Sequence, residues 1–111
     1  MPPRFLTLAE VLEIHSAIRS RFPCTEGGDR GALESALAMP MQAIGGQFLH
    51  LDIFEMAAAY LYYIVRGHAF VDGNKRTGAV AALAFLEYNG YSLASTETAY
   101  ESLIISIASG S

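Results

Sequence analysis

The chain has 111 residues, of which 52% are hydrophobic and 16% charged, so it carries enough apolar side chain for one buried core and too much for a disordered segment. Its formal net charge of −4 excludes a general polyanion binder, which draws most of its affinity from a basic face, and no direct contact with nucleic acid is expected. A single cysteine, Cys24, excludes an internal disulfide and makes the cytoplasm the expected compartment, and the most apolar stretch, residues 56–65, is about half a membrane span.

Residues 1–4 lead straight into a polar, capped segment, so no secretory leader is expected, and the whole of 1–111 reads as one domain. Thr7-Leu8-Ala9-Glu10 has the form of a capping box. Behind it Leu8, Val11, Leu12, His15, Ile18 and Phe22 recur at helical spacing, which predicts an amphipathic first helix ending before Pro23. Residues 26–29 read as a turn. Asp29 is placed to cap a short second helix over residues 30–39, stopped by Pro40. Residues 41–50, with Gly45-Gly46, read as a loop containing a helical turn. Asp52 and Glu55 form a second capping pair, opening a helix that runs to about Val65 and is apolar on every side, as the central helix of a bundle would be. Gly67 is expected to end it in a left-handed conformation. A further apolar helix is predicted over residues 74–89, ended by Gly90, and Ser95 or Thr96 is placed to cap a last helix through Ile107. No run alternates with period two, so strands are short at most, and the fold class is all-α, with two core helices joined by a short loop. Tyr60, Tyr62 and Tyr63 are expected in the core, and His15 and His50 are expected to be structural or exposed.

The loop between the core helices concentrates the chemistry. It reads His68-Ala69-Phe70-Val71-Asp72-Gly73-Asn74-Lys75-Arg76 and contains the only lysine of the chain. Singly, a helix-end histidine, a capping aspartate and a charged first turn are ordinary structural features. Their coincidence on a glycine-containing helix entry points instead to a compact anion. The first turn of a helix offers free N–H groups and partial positive charge, and Gly73 lets the backbone approach a phosphate. Asn74 stands at the helix entry, Lys75 adds a point charge, and Arg76 adds a planar fork for two oxygens. Asp72 beside a phosphate calls for a cation, and Mg2+, which takes one or two carboxylates together with phosphate oxygens, resolves the conflict. His68 suits a general base toward a hydroxyl, because histidine ordinarily titrates near neutrality. Phe70 reads as the apolar anchor of the loop. The P-loop pattern does not fit, since five residues separate Gly67 from Gly73 and Asn74 precedes Lys75.

H-A-F-V-D-G-N-K-R closely resembles the signature H-x-F-x-[DN]-[AG]-N-K-R of the Doc ("death on curing") toxins, a branch of the Fic fold. Arg66-Gly67 before it, D-R-G-A-L-E-S-A-L-A-M-P over residues 29–40 and F-L-E-Y-N-G over residues 85–90 are similar to that family as well. The resemblance implies a compact helical Fic/Doc bundle and the toxin of a type II toxin–antitoxin pair. It further implies a cognate antitoxin as partner and a kinase that uses ATP and Mg2+ to phosphorylate a threonine of elongation factor Tu, which halts translation. His68 is then the general base and Asp72 the magnesium ligand; Gly73, Asn74, Lys75 and Arg76 hold phosphates. Most Fic proteins have glycine where Lys75 stands and attach AMP to protein hydroxyls, so AMP transfer is the alternative chemistry. A non-catalytic nucleotide- or antitoxin-binding module is the third reading. Doc-like chains continue past the equivalent of Ser109-Gly110 into a final helix; in this sequence, which stops at Ser111, that helix is expected to be either absent or cut off by truncation.

Overall fold

The computed structural model describes residues 2–23 and 25–91. The expected helix from Ser95 or Thr96 through Ile107 lies outside the described residues, as does Cys24.

Helix α1 (Leu8–Arg21) starts at the expected capping box. The Glu10 N–H donates to the Thr7 hydroxyl at 3.1 Å, and the Thr7 N–H donates to the Glu10 carboxylate at 2.8 Å. Val11, His15 and Ile18, spaced by four and three residues, form its buried face. Helix α2 (Arg30–Ala38) is capped by Asp29, which accepts from the Ala32 N–H at 3.0 Å, and buries Leu33, Ala36 and Leu37. Helix α3 (Ile53–Gly67) is capped by Asp52, and the Glu55 carboxylate reaches back to the Leu51 N–H at 2.9 Å. Helix α4 (Asn74–Tyr88) ends at Asn89, with Gly90 left-handed beyond it.

Between α2 and α3 the expected helical turn is replaced by a small hairpin. Strands β1 (Ala43–Ile44) and β2 (Gln47–Phe48) pair antiparallel, Ala43 opposite Phe48 and Ile44 opposite Gln47. Gly45 and Gly46 both have positive φ, 59° and 80°. A two-residue loop with both residues left-handed matches the twist of the flanking strands, and glycine enters it without steric cost. The Gly-Gly pair was the hairpin signal.

The core joins the four helices. Tyr60, Phe85, Leu33, Ile64 and Val11 are fully buried. Phe5 stacks on Phe85 at 5.8 Å between ring centres and meets Phe48 edge-on at 5.6 Å. The chain start is fastened by polar bonds too: the Leu6 N–H donates to the Tyr60 hydroxyl at 2.9 Å. Asn89 accepts from the Arg4 N–H at 2.8 Å and donates to the Arg4 carbonyl at 3.0 Å. At the α3–α4 contact Gly78 faces Leu61 so closely that a Cβ there would lie 3.1 Å from Leu61 Cδ1 and 3.2 Å from its carbonyl oxygen.

Three expectations about α3 need correction. It is not covered on every side: Phe54, Leu61 and Tyr62 are exposed, whereas Met56, Ala57, Ala59, Tyr60 and Ile64 are buried. Of the three tyrosines only Tyr60 is a core residue; Tyr62 is 51% exposed and Tyr63 half-buried. The tyrosine is amphipathic, and its hydroxyl lets it stand at the surface, where Tyr62 OH accepts from Arg66 at 2.6 Å. Gly67 remains helical, and the left-handed residue that closes α3 is His68, with φ 47° and ψ 47°.

Candidate active site

His68 to Arg76 occupies the turn from α3 into α4. Its path is fixed from three directions. The first is Asn74, the opening residue of α4, which is buried. Its side-chain oxygen accepts from the Phe70 N–H at 3.0 Å, and its amide nitrogen donates to the Phe70 carbonyl at 2.8 Å. One carboxamide thus satisfies both backbone groups of Phe70, as a neighbouring strand would. Because each of these groups plays one role only, they also fix which end of the amide faces His68: Nδ2 lies 3.4 Å from His68 Nδ1.

The second is the segment ahead of α2, where residues 27–29 pair with residues 69–71 instead of making only the expected turn. The Asp29 N–H donates to the Ala69 carbonyl at 2.7 Å, and the Val71 N–H donates to the Gly27 carbonyl at 3.0 Å. They flank an antiparallel bridge between Gly28 and Phe70. Gly28 permits this, because a Cβ there would stand 2.5 Å from the Ala69 oxygen.

The third is α1. Phe70 is 5% exposed, and its ring lies flat on that of His15, with centres 3.8 Å apart and 8° between planes. His15 Nε2 lies 3.0 Å from the carbonyl oxygen of Asp72. Sequence reasoning left His15 among structural or exposed residues; it is buried and touches the loop at two points. The helical spacing already places His15 on the buried face of α1, but nothing local signals its partner in the loop, since 57 positions separate it from Asp72.

The ionisable groups of the motif remain at the surface. His68, Asp72 and Lys75 are exposed and Arg76 is half-buried. The Asp72 carboxylate accepts from the Gly73 N–H at 2.9 Å and from the Thr25 N–H at 3.2 Å. Arg76 lays its guanidinium over the Phe22 ring, 4.6 Å from the centre, and its buried Nε has no hydrogen-bond partner. Helix α4 differs from the other three at its entry: Gly73, left-handed at φ 82°, stands at the cap position, and no side chain caps the helix. Helices α1, α2 and α3 each receive a side-chain cap. An uncapped first turn keeps its donors available to an anion. The cavity of about 290 Å³ lined by Leu12, His15, Arg19, Gly28, Leu33 and Phe70 includes none of these charged motif residues.

Residues 5–86 match the model of the Fic/DOC family. The chain belongs to the Fic/DOC family. Within that family it is similar to Toxin Doc of Mycolicibacterium smegmatis, 44% identical over 66 residues that cover 60% of this chain and 51% of that protein. It is also similar to Protein kinase doc of Escherichia phage P1, 35% identical over 88 residues that cover 78% of this chain and 69% of that one. The chain therefore spans about half the length of the Mycolicibacterium relative. These likenesses place it with the Doc members of the Fic/DOC family. The expected helical class stands: four helices and a two-stranded hairpin make up the regular structure of the described residues. No helix among the described residues is long and apolar enough to cross a membrane.

Proposed function

We propose that this chain transfers the γ-phosphate of ATP to a threonine or serine hydroxyl of a protein target, as the toxin of a type II toxin–antitoxin pair. The observation that carries this reading is the entry of α4, which has no side-chain cap and brings Lys75 and Arg76 onto its first turn, inside an intact Doc-type motif. The name Protein kinase doc, borne by the phage P1 relative, supports phosphoryl rather than adenylyl transfer.

The residues fit a magnesium-bound triphosphate. The buried, unpartnered Arg76 Nε and the uncapped turn ask for an anion, and Asp72 holds an exposed carboxylate next to them. No group of three or more histidine, cysteine, aspartate or glutamate side chains gathers among the described residues. A single carboxylate completed by phosphate oxygens and water is the way Mg2+ is commonly held. When bound, Mg2+ neutralises charge on the phosphates. Lys75 and Arg76 bind phosphate oxygens through their side chains; Gly73 lets the phosphates approach. Asn74 contributes its backbone N–H, because its side chain is occupied by Phe70.

His68 takes the proton of the incoming hydroxyl. As a base it must present a lone pair at Nε2, with its proton on Nδ1. In the resting geometry the Asn74 amide N–H faces Nδ1 at 3.4 Å, so placing the proton on Nδ1 requires that contact to be given up. The γ-phosphoryl group leaves ATP and joins the hydroxyl oxygen, ADP departs, and His68 holds the proton. Elongation factor Tu is the proposed target, and a cognate antitoxin is the proposed partner.

Incubation with a target lysate and ATP labelled at either the γ or the α position tests the reading. Label from the γ position alone, lost in His68→Ala, is the expected result. Label from the α position would make the chain an AMP transferase, and binding of Mg·ATP without either label would make it a binding module.

A further inference from the structure

The geometry points to His15 as a positioning residue that sets Asp72 for the metal; the inference rests on the proposed phosphotransfer site. His15 belongs to α1, outside the motif, and only 7% of it is exposed. A buried imidazole costs desolvation unless its nitrogens are used. Here Nε2 points at the Asp72 backbone oxygen at 3.0 Å. A carbonyl only accepts, so Nε2 carries the proton. The same ring lies flat on Phe70 at 3.8 Å. Asp72 is therefore held at three points: its carbonyl by His15, and its two carboxylate oxygens by Gly73 N–H and Thr25 N–H.

These three holds divide the work. The Thr25 and Gly73 donors touch the oxygens that a cation would also need, so they orient the carboxylate while competing for it. The His15 bond touches only the main chain. It fixes where the Asp72 backbone sits without consuming a ligand oxygen, which is what a support behind a metal ligand must do. Losing it leaves the ligand present and free to drift, and catalytic groups must sit within fractions of an ångström of their working geometry.

A merely space-filling role and a positioning role differ in one atom, the Nε2–H. His15→Gln keeps a donor on a side chain that reaches a similar place, and His15→Met keeps nearly the same shape without the donor. Calorimetry on the full chain measures the affinity for Mg·ATP and, in EDTA, for ATP alone; transfer of γ label is followed against free Mg2+. We expect His15→Met to weaken Mg·ATP binding about tenfold, to leave ATP binding in EDTA unchanged, and to raise the Mg2+ requirement more than it lowers kcat. His15→Gln should restore the affinity. Equal affinities in wild type and both variants overturn the inference, as does equal loss in Met and Gln. A magnesium-dependent gain absent from the wild type overturns the nucleotide reading together with the role built on it. A magnesium-dependent gain of equal size in wild type and His15→Met overturns the role alone. Should His15→Met fail to fold, His15→Phe, which keeps a ring over Phe70, makes the same comparison with Gln.

Discussion

Asn74 shows how much of the loop hangs on one side chain. Its carboxamide supplies both partners of the buried Phe70 backbone, so its removal leaves an N–H and a C=O without partners away from water. Each such group costs about 1–3 kcal/mol. Asn74→Ala should therefore lower unfolding free energy by about 2–4 kcal/mol, read from the urea midpoint. Asn74→Asp should not rescue it, because an oxygen would replace the donor that faces the Phe70 carbonyl. A loss under 1 kcal/mol in Asn74→Ala would mean that water takes over both bonds. His68 carries a cost of another kind. A side chain in the left-handed region is strained by about 1 kcal/mol or more, although Gly67 immediately before it could have taken that conformation freely. Strained backbone of this sort concentrates where a side chain must be aimed. The sequence made the loop's chemical inventory legible, since ionisable types and spacing are local. It hid Asn74's occupation by Phe70 and the left-handed turn at His68, because both depend on how the loop closes on itself.

Among the elements, the helix starts were readable and the faces were not. Thr7 with Glu10, Asp29 and Asp52 each cap within three residues, so local spacing finds them. The pairing of residues 27–29 with residues 69–71 spans some forty positions, and no local pattern announces it. The apolar run in α3 revealed a core helix but not which side would remain exposed at Phe54, Leu61 and Tyr62, because those residues are as apolar or aromatic as buried Met56, Tyr60 and Ile64, and residue type alone does not separate the two faces. Gly78 illustrates an element-scale constraint that sequence shows only as a helix-weakening residue. Alanine there would add helix propensity of about 1 kcal/mol, offset by contacts of 3.1 and 3.2 Å with Leu61. Valine adds two methyl groups to that contact and gains little propensity. Gly78→Val should cost about 1–3 kcal/mol as the helices part, measured by denaturant unfolding. Unchanged stability would show that Leu61, itself partly exposed, simply swings aside.

At the scale of the whole molecule, the start of the described chain is tied to α3 by a buried phenol. Burial pushes the Tyr60 hydroxyl up to about 12, partly countered by the Leu6 N–H that donates to it. A group raised in the fold binds its proton more tightly there than in the unfolded chain. Its contribution is thus complete below the ordinary tyrosine value of about 10 and is lost as pH rises toward 12. Urea midpoints of wild type against Tyr60→Phe should diverge in slope above pH 10, the wild type falling faster; parallel curves would remove Tyr60 as the cause. Glu10 acts at the acid end. Its Thr7 N–H bond, then the Arg4 guanidinium, hold its carboxyl below the usual range, so its support is present above that range and fades as pH falls through the lowered value.

Asn89 grips both backbone groups of Arg4 across 85 positions, and this governs the order of assembly during synthesis. The leading residues leave the ribosome long before the asparagine that secures them has been translated. Helices α3 and α4 form a neighbouring pair and can associate as soon as both emerge, whereas Phe5 has no stacked partner until Phe85 exists. The contacts of the amino-terminal segment with Phe85 and Asn89 are then the last to close in the nascent chain, after those with Phe48 and Tyr60, and Phe5→Leu, which weakens the late contact, should accelerate unfolding more than it slows refolding in stopped-flow kinetics.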